Sequence, residues 1–143
     1  RSYYPEHWDH SSLYPGVREL LLELRRRGYR SAVATTKMTA MAKGLAETVG
    51  LSALVDYIQG TDGFPPKPAP DVVFKAIAGA GGEGLWMVGD TTLDVLAGKA
   101  AGLKTYAVSW GTHGKEALAS ARPDILAPDL SLLLEELSPS SEL

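Results

Sequence analysis

Val17, Leu20, Leu21 and Leu24 recur at helical spacing, which gives one helix a continuous apolar face. Glu19 and Glu23 come early in that stretch and Arg25, Arg26 and Arg27 late, matching the helix dipole. Pro15-Gly16 suits the first turn, and Gly28 suits the C-terminal cap. The next apolar run, Tyr29–Thr35 around Ala32, Val33 and Ala34, reads as a short buried strand. The alternation then repeats along the chain. A helix is predicted from about Met38 to Val49, closed by Gly50, and a strand near Tyr57–Ile58. Thr61–Pro70 is a loop rich in Gly and Pro. A helix runs from about Pro70 to Ala80, and a strand at Leu85–Val88 ends at Gly89-Asp90. A helix near Leu93–Ala101 is stopped by Gly102, and a strand at Lys104–Val108 enters the loop Ser109–Gly114. A helix near Lys115–Ser120, a brief strand at Asp124–Leu126 and a last helix at Leu130–Leu137 complete the pattern. Strands alternating with helices through short loops predict an α/β fold with a mainly parallel sheet.

Composition narrows the class. The 143 residues suit one domain, and the 45% hydrophobic and 22% charged fractions are those of a globular chain. A net charge of −3 argues against nucleic acid and against an anionic membrane surface as partners. There is no cysteine, so disulfides, thiolate chemistry and Cys-ligated zinc are excluded. No apolar run approaches the roughly 20 residues of a membrane helix and no signal peptide is visible. The expected location is the cytoplasm. The first residues, Arg1–His10, are dense in aromatic and charged side chains (Tyr3, Tyr4, His7, Trp8). They read as the end of a helix, so the chain is expected to be a fragment.

In open α/β sheets, ligands bind beyond the carboxyl ends of the strands, and three polar groups fall there. Asp90 and Asp94 are four residues apart at a helix start. They suit a hard cation such as Mg²⁺, which prefers oxygen ligands, or they serve as an N-cap and a first-turn dipole partner. Thr35 and Thr36 can hold a phosphate oxygen at a helix start or act as simple caps. Lys67 can neutralise phosphate charge or point to solvent from its Pro-rich loop; Pro68 and Pro70 favour a placed side chain. His7, His10 and His113 are weak signals, with His113 read as an exposed loop residue.

The order of these groups is more specific than any one of them. Ala32–Lys37 (AVATTK), Lys67-Pro68-Ala69-Pro70 and Val88–Asp94 (VGDTTLD) resemble motifs II, III and IV of the haloacid-dehalogenase-like (HAD) hydrolases. Within that superfamily the sequence is most similar to phosphoglycolate-phosphatase-like members. The resemblance covers Tyr14 to Leu137 and implies a Rossmann-like, three-layer core. It also implies a phosphatase acting on a small phosphomonoester through an aspartyl-phosphate intermediate with Mg²⁺. Thr35 would donate its hydroxyl to the phosphoryl group, helped by the backbone at Thr36, and Lys67 would bind the same group. Asp90 would ligate Mg²⁺, and Asp94 would complete or orient the metal's shell. The family's motif I, DxDGT, carries the nucleophilic and acid/base aspartates, and no DxD occurs in this sequence.

The resemblance therefore divides the chain into residues 1–12, the end of a cap helix and hinge; 13–137, an incomplete HAD-like core; and 138–143, a flexible tail. The first core strand and most of the helical cap are expected to be absent, leaving this chain alone inactive. An upstream segment or a second chain is expected to fill the middle of the sheet, unless its two halves close together. The partner is a small phosphorylated metabolite. The alternatives are a catalytically dead HAD-like binding or regulatory domain, or a related phosphomutase, nucleotidase or pyrophosphatase activity. A phospho-receiver domain also uses Asp, Thr and Lys, but its acidic residues come before Thr and Lys, whereas here Thr comes first and the acidic pair last.

Overall fold

The computed structural model describes residues 2–4, 16–111 and 113–137. Six parallel strands form one sheet: β1 (Ser2–Tyr4), β2 (Ala32–Ala34), β3 (Tyr57–Gln59), β4 (Trp86–Gly89), β5 (Lys104–Val108) and β6 (Ile125–Ala127). Their order across the sheet is β3-β2-β1-β4-β5-β6. Five helices connect them: α1 (Val17–Arg26), α2 (Thr39–Thr48), α3 (Asp71–Ala80), α4 (Thr92–Ala100) and α5 (Lys115–Ser120). The α/β fold and the parallel sheet are as the sequence pattern predicts.

Two apolar layers sandwich the sheet. On one face Leu20, Leu21 and Leu24 of α1 and Ala42 and Ala46 of α2 pack with Val33, Val88 and Tyr106, joined by Leu130 and Leu133. On the other, Val72, Val73 and Ala76 of α3 and Ala97 of α4 meet Ala32, Ala34 and Met87. Strands covered on both faces are apolar throughout, and β2 and β4 are buried along their whole length. Gly28 and Gly102, predicted as helix stops, have φ of 85° and 80°, a left-handed conformation that glycine adopts without a Cβ penalty.

The centre of the sheet differs from the expectation. The gap between β2 and β4 is filled neither by another segment nor by closure of the sheet. The chain's own Ser2–Tyr4, read above as the tail of a cap helix, forms β1 there. Ser2 pairs with Ala32 on one side, and Ser2, Tyr3 and Tyr4 pair with Met87, Val88 and Gly89 on the other. Tyrosine has good strand propensity. Without β1, two facing ladders of N–H and C=O groups would lie open in mid-sheet. Residues 5–12, the rest of that predicted helix end and hinge, and the predicted tail 138–143 lie outside the described residues.

The end of the core also departs from the pattern. The predicted helix Leu130–Leu137 is a 3₁₀ turn at Leu134–Glu136. The Asp129 carboxylate accepts hydrogen bonds from the amide and hydroxyl of Ser131, which favours a turn over helix propagation. Arg27 donates to the carbonyls of Leu134 and Leu137.

The helix–sheet spacing makes one residue critical. A Cβ on Gly98 of α4 would come within 2.6 Å of the Met87 Cβ and 2.8 Å of the Thr105 Cγ2. Gly98→Val is therefore expected to lower stability by about 1–3 kcal/mol through overpacking, read as a lower urea midpoint.

Candidate functional site

Thr35 and Asp90 follow directly on β2 and β4, the strands flanking β1. The pairing of Ser2 with both Ala32 and Met87 sets Ala34 and Gly89 at one level, so Thr35 and Asp90 sit one residue beyond it. Strands two places apart are separated by roughly 10 Å. The two residues thus stand on either side of the carboxyl end of β1. Both side chains belong to residues that are buried.

Thr35 is poised as a donor. Its hydroxyl oxygen accepts the Lys37 amide at 3.2 Å, a local turn typical of Ser and Thr. With a lone pair so engaged, the hydroxyl hydrogen is left to donate elsewhere. Thr36 beside it is exposed.

Asp94 is the most heavily bonded of the predicted residues. Thr91 is the N-cap of α4: its hydroxyl oxygen accepts the Asp94 amide, and the Asp94 carboxylate accepts the Thr91 amide. This reciprocal capping box satisfies two orphan donors at the helix start. The Thr91 hydroxyl also lies 3.0 Å from Asp94 Oδ2. The other carboxylate oxygen, Oδ1, accepts Lys67 Nζ at 2.5 Å, with both side chains 1% exposed. Lys67 is therefore inside the protein rather than on a solvated loop, and the Lys67–Pro68 peptide is cis. A buried pair of this kind holds only because each charge has its partner. The helix-start reading of the carboxylate pair proves right in kind but shifted by one position: Thr91 is the cap and Asp94 its third helical residue.

Two glycines admit the carboxylates. A Cβ on Gly89 would collide with the Asp94 carboxyl group, and one on Gly111 with that of Asp90. The Gly-Asp pair at the end of β4 and the Trp110-Gly111 pair after β5 thus form the close-fitting walls around the two acids. His113, in the same β5 loop, is half-buried and its Nδ1 accepts the Thr92 amide at 3.1 Å. It ties this loop to the start of α4, contrary to its reading as an exposed residue.

Sequence reasoning missed Thr91, Thr61 and Asp62. Thr61 donates to the Thr35 carbonyl, and Asp62 accepts the Thr39 amide. The Thr39 hydroxyl, and then its amide, hold the Asp62 carboxyl below its ordinary value. Thr61 and Asp62 follow β3, so the strand-end rule that found Thr35 and Asp90 would have found them.

Among the described residues no three carboxylates or imidazoles gather as a self-sufficient metal cluster. Mg²⁺ does not require one, because it retains several waters and commonly takes one or two carboxylates. Asp90, a buried carboxylate at a strand end, fits that chemistry. Asp94, with Lys67 and Thr91 on its oxygens, is suited to holding Lys67.

Comparison with known proteins agrees on the family. Residues 1–108 match the family described as "Haloacid dehalogenase-like hydrolase". "Probable phosphatase IndB" of Dickeya dadantii is 39% identical over 122 residues, covering 83% of this chain and 53% of that protein. "Pyrophosphatase PpaX" of Bacillus velezensis is 36% identical over 125 residues, covering 85% and 57%. A crystal structure titled as a predicted phosphoglycolate phosphatase from Haemophilus somnus superposes with a TM-score of 0.76 at 28% identity, covering 87% of this chain and 56% of that one. The chain thus spans little more than half the length of these relatives.

Proposed function

Because the chain belongs to the haloacid dehalogenase-like hydrolase family, we propose that it forms the phosphate-handling part of a Mg²⁺-dependent phosphatase acting on a small phosphomonoester. The observation that carries this reading is the buried Lys67–Asp94 pair beside the end of β4, with Asp90 there and Thr35 across β1. Phosphoryl transfer depends mainly on positioning and on electrostatic stabilisation of the transferred group. Thr35 would donate its hydroxyl to a phosphoryl oxygen, helped by the Thr36 backbone. Lys67 would supply positive charge in a site of low dielectric, fixed in place by Asp94. Asp90 would hold Mg²⁺, whose chemistry when bound is to neutralise developing charge on the phosphoryl oxygens.

The reaction also needs a nucleophile. The sequence has no DxD, so we infer that this chain binds phosphate but does not turn a phosphoester over by itself. Phosphoglycolate-like monoesters and pyrophosphate are the substrates this reading selects for testing, because proteins named for each resemble this core.

The test is phosphate release by the protein as its gene encodes it, with phosphoglycolate, other small monoesters and pyrophosphate, in Mg²⁺ and in chelator. Mg²⁺-dependent release from at least one is expected. Binding of inorganic phosphate without release from any of them would favour the alternative, a HAD-like binding domain.

A further inference from the structure

The two strand-end loops on the β2 side of the site grip each other. The first, Thr35–Met38, carries the threonine that would contact phosphate and leads into α2. The second, Gly60–Asp62, follows β3. Two hydrogen bonds join them directly, and two more tie the second loop to Thr39, the first residue of α2. The Thr61 hydroxyl donates to the Thr35 carbonyl at 2.8 Å, and the Thr61 amide donates to the Lys37 carbonyl at 2.8 Å. The Gly60 amide donates to the Thr39 hydroxyl at 3.0 Å. The Thr39 amide donates to the Asp62 carboxylate at 2.9 Å.

The last bond explains an oddity of α2. Its N-cap is Met38, which makes no side-chain cap bond and has no good acceptor to offer the helix's first amides. Asp62 supplies that acceptor from outside the helix, and its negative charge sits favourably at the positive end of the helix dipole. The approach is close: a Cβ on Gly60 would collide with the Thr39 amide and the Lys37 carbonyl, so only glycine lets the loops meet.

We propose that Asp62 is a positioning residue for phosphate binding, acting through Thr39 to fix the Thr35–Met38 loop, with Thr61 as the second grip on the Thr35 carbonyl. The inference rests on the reading of Thr35 as a phosphate contact. Asp62 itself touches neither phosphate nor metal. What it controls is the turn in which the Lys37 amide occupies a lone pair of the Thr35 hydroxyl and leaves its hydrogen to donate outward.

That turn provides a direct readout, since exchange of the Lys37 amide hydrogen reports the order of the Thr35 side chain. Hydrogen exchange is measured by NMR on this chain as wild type, Asp62→Ala and Asp62→Asn, followed by titration with inorganic phosphate. In Asp62→Ala the Lys37 amide should exchange about tenfold faster and phosphate should bind several-fold more weakly, as expected for losing one charge-assisted bond. Asp62→Asn keeps an acceptor for the Thr39 amide and should recover most of both. Unchanged Lys37 exchange in Asp62→Ala overturns the proposal. So does acceleration spread evenly over Lys37 and core amides such as Val33 and Val88, which would mark a merely structural role. If the wild type binds no phosphate, the functional reading fails, and the exchange pattern alone still decides whether Asp62 orders Thr35.

Discussion

Lys67→Ala should be among the most destabilising single substitutions in this chain, costing about 3–5 kcal/mol. The substitution leaves the Asp94 carboxylate in a site where its side chain is 1% exposed and takes away the ammonium group bonded to it. Against a typical total stability of about 5–15 kcal/mol, such a loss is large enough to leave a substantial unfolded fraction. The double variant Lys67→Met/Asp94→Asn tests the same idea without stranding a charge. It keeps the lysine's apolar stem and an acceptor for the Thr91 capping box, so it should lie nearer wild type than Lys67→Ala does. Urea midpoints of the two variants and the wild type decide the matter. A Lys67→Ala unfolding free energy within about 1 kcal/mol of wild type would contradict a buried pair, because that is the range of an exposed one.

This result would also revise what the sequence suggests about Lys67. From its motif the lysine reads as a phosphate ligand whose loss affects turnover more than stability. The burial of both charges adds a stability role that no local pattern encodes, because Lys67 and Asp94 are 27 positions apart. The same limit hides the partners of Asp62 and His113, although the position of Asp62 after a strand is legible. Their partners, Thr39 and Thr92, lie 23 and 21 positions away, and nothing in their immediate neighbours announces the contact. What was legible was local. The spacing Val17, Leu20, Leu21, Leu24 fixes which face of α1 is buried, and the bounds of β5 and α5 are those predicted. The order Thr35, Lys67, Asp90, Asp94 was also legible, since Thr35 and Asp90 directly follow strands, Asp94 lies in the first turn of α4 and Lys67 in the Pro-rich loop before α3.

Boundaries were lost where side chains replace backbone partners. β2 reads as Tyr29–Thr35 from its apolar run but pairs only over Ala32–Ala34. At Ser31 the amide turns to the Asp56 carboxylate. β1 was lost for another reason. Its three residues have no apolar alternation of their own, and only the open ladders of β2 and β4 make a strand there favourable.

Asp90→Asn should abolish turnover while sparing the fold. The motive is position: Asp90 follows β4, lies across the end of β1 from Thr35, and is walled by Gly111 so closely that no Cβ would fit. Asparagine has nearly the same shape, so the packing against Gly111 and the end of β4 should survive. What disappears is the negative charge that a hard divalent cation requires of its ligand. Removing a single electrostatic contributor to a transition state commonly costs about 10²–10³ in rate, and loss of a direct Mg²⁺ ligand should reach at least that range. The measurement has two parts. Phosphate release by the protein as its gene encodes it should fall by at least about a hundredfold, and raising Mg²⁺ should not restore it fully. Calorimetry of Mg²⁺ binding should show weaker binding in Asp90→Asn, while the unfolding free energy from urea titration stays within about 1 kcal/mol of wild type. Asp94→Asn provides the contrast. Its carboxylate holds Lys67 and caps α4, so it should lower stability markedly and weaken Mg²⁺ binding less than Asp90→Asn does. If the two variants behave the other way round, with Asp90 supporting the fold and Asp94 the metal, the division of labour between the carboxylates is reversed and the metal site must be rebuilt around Asp94.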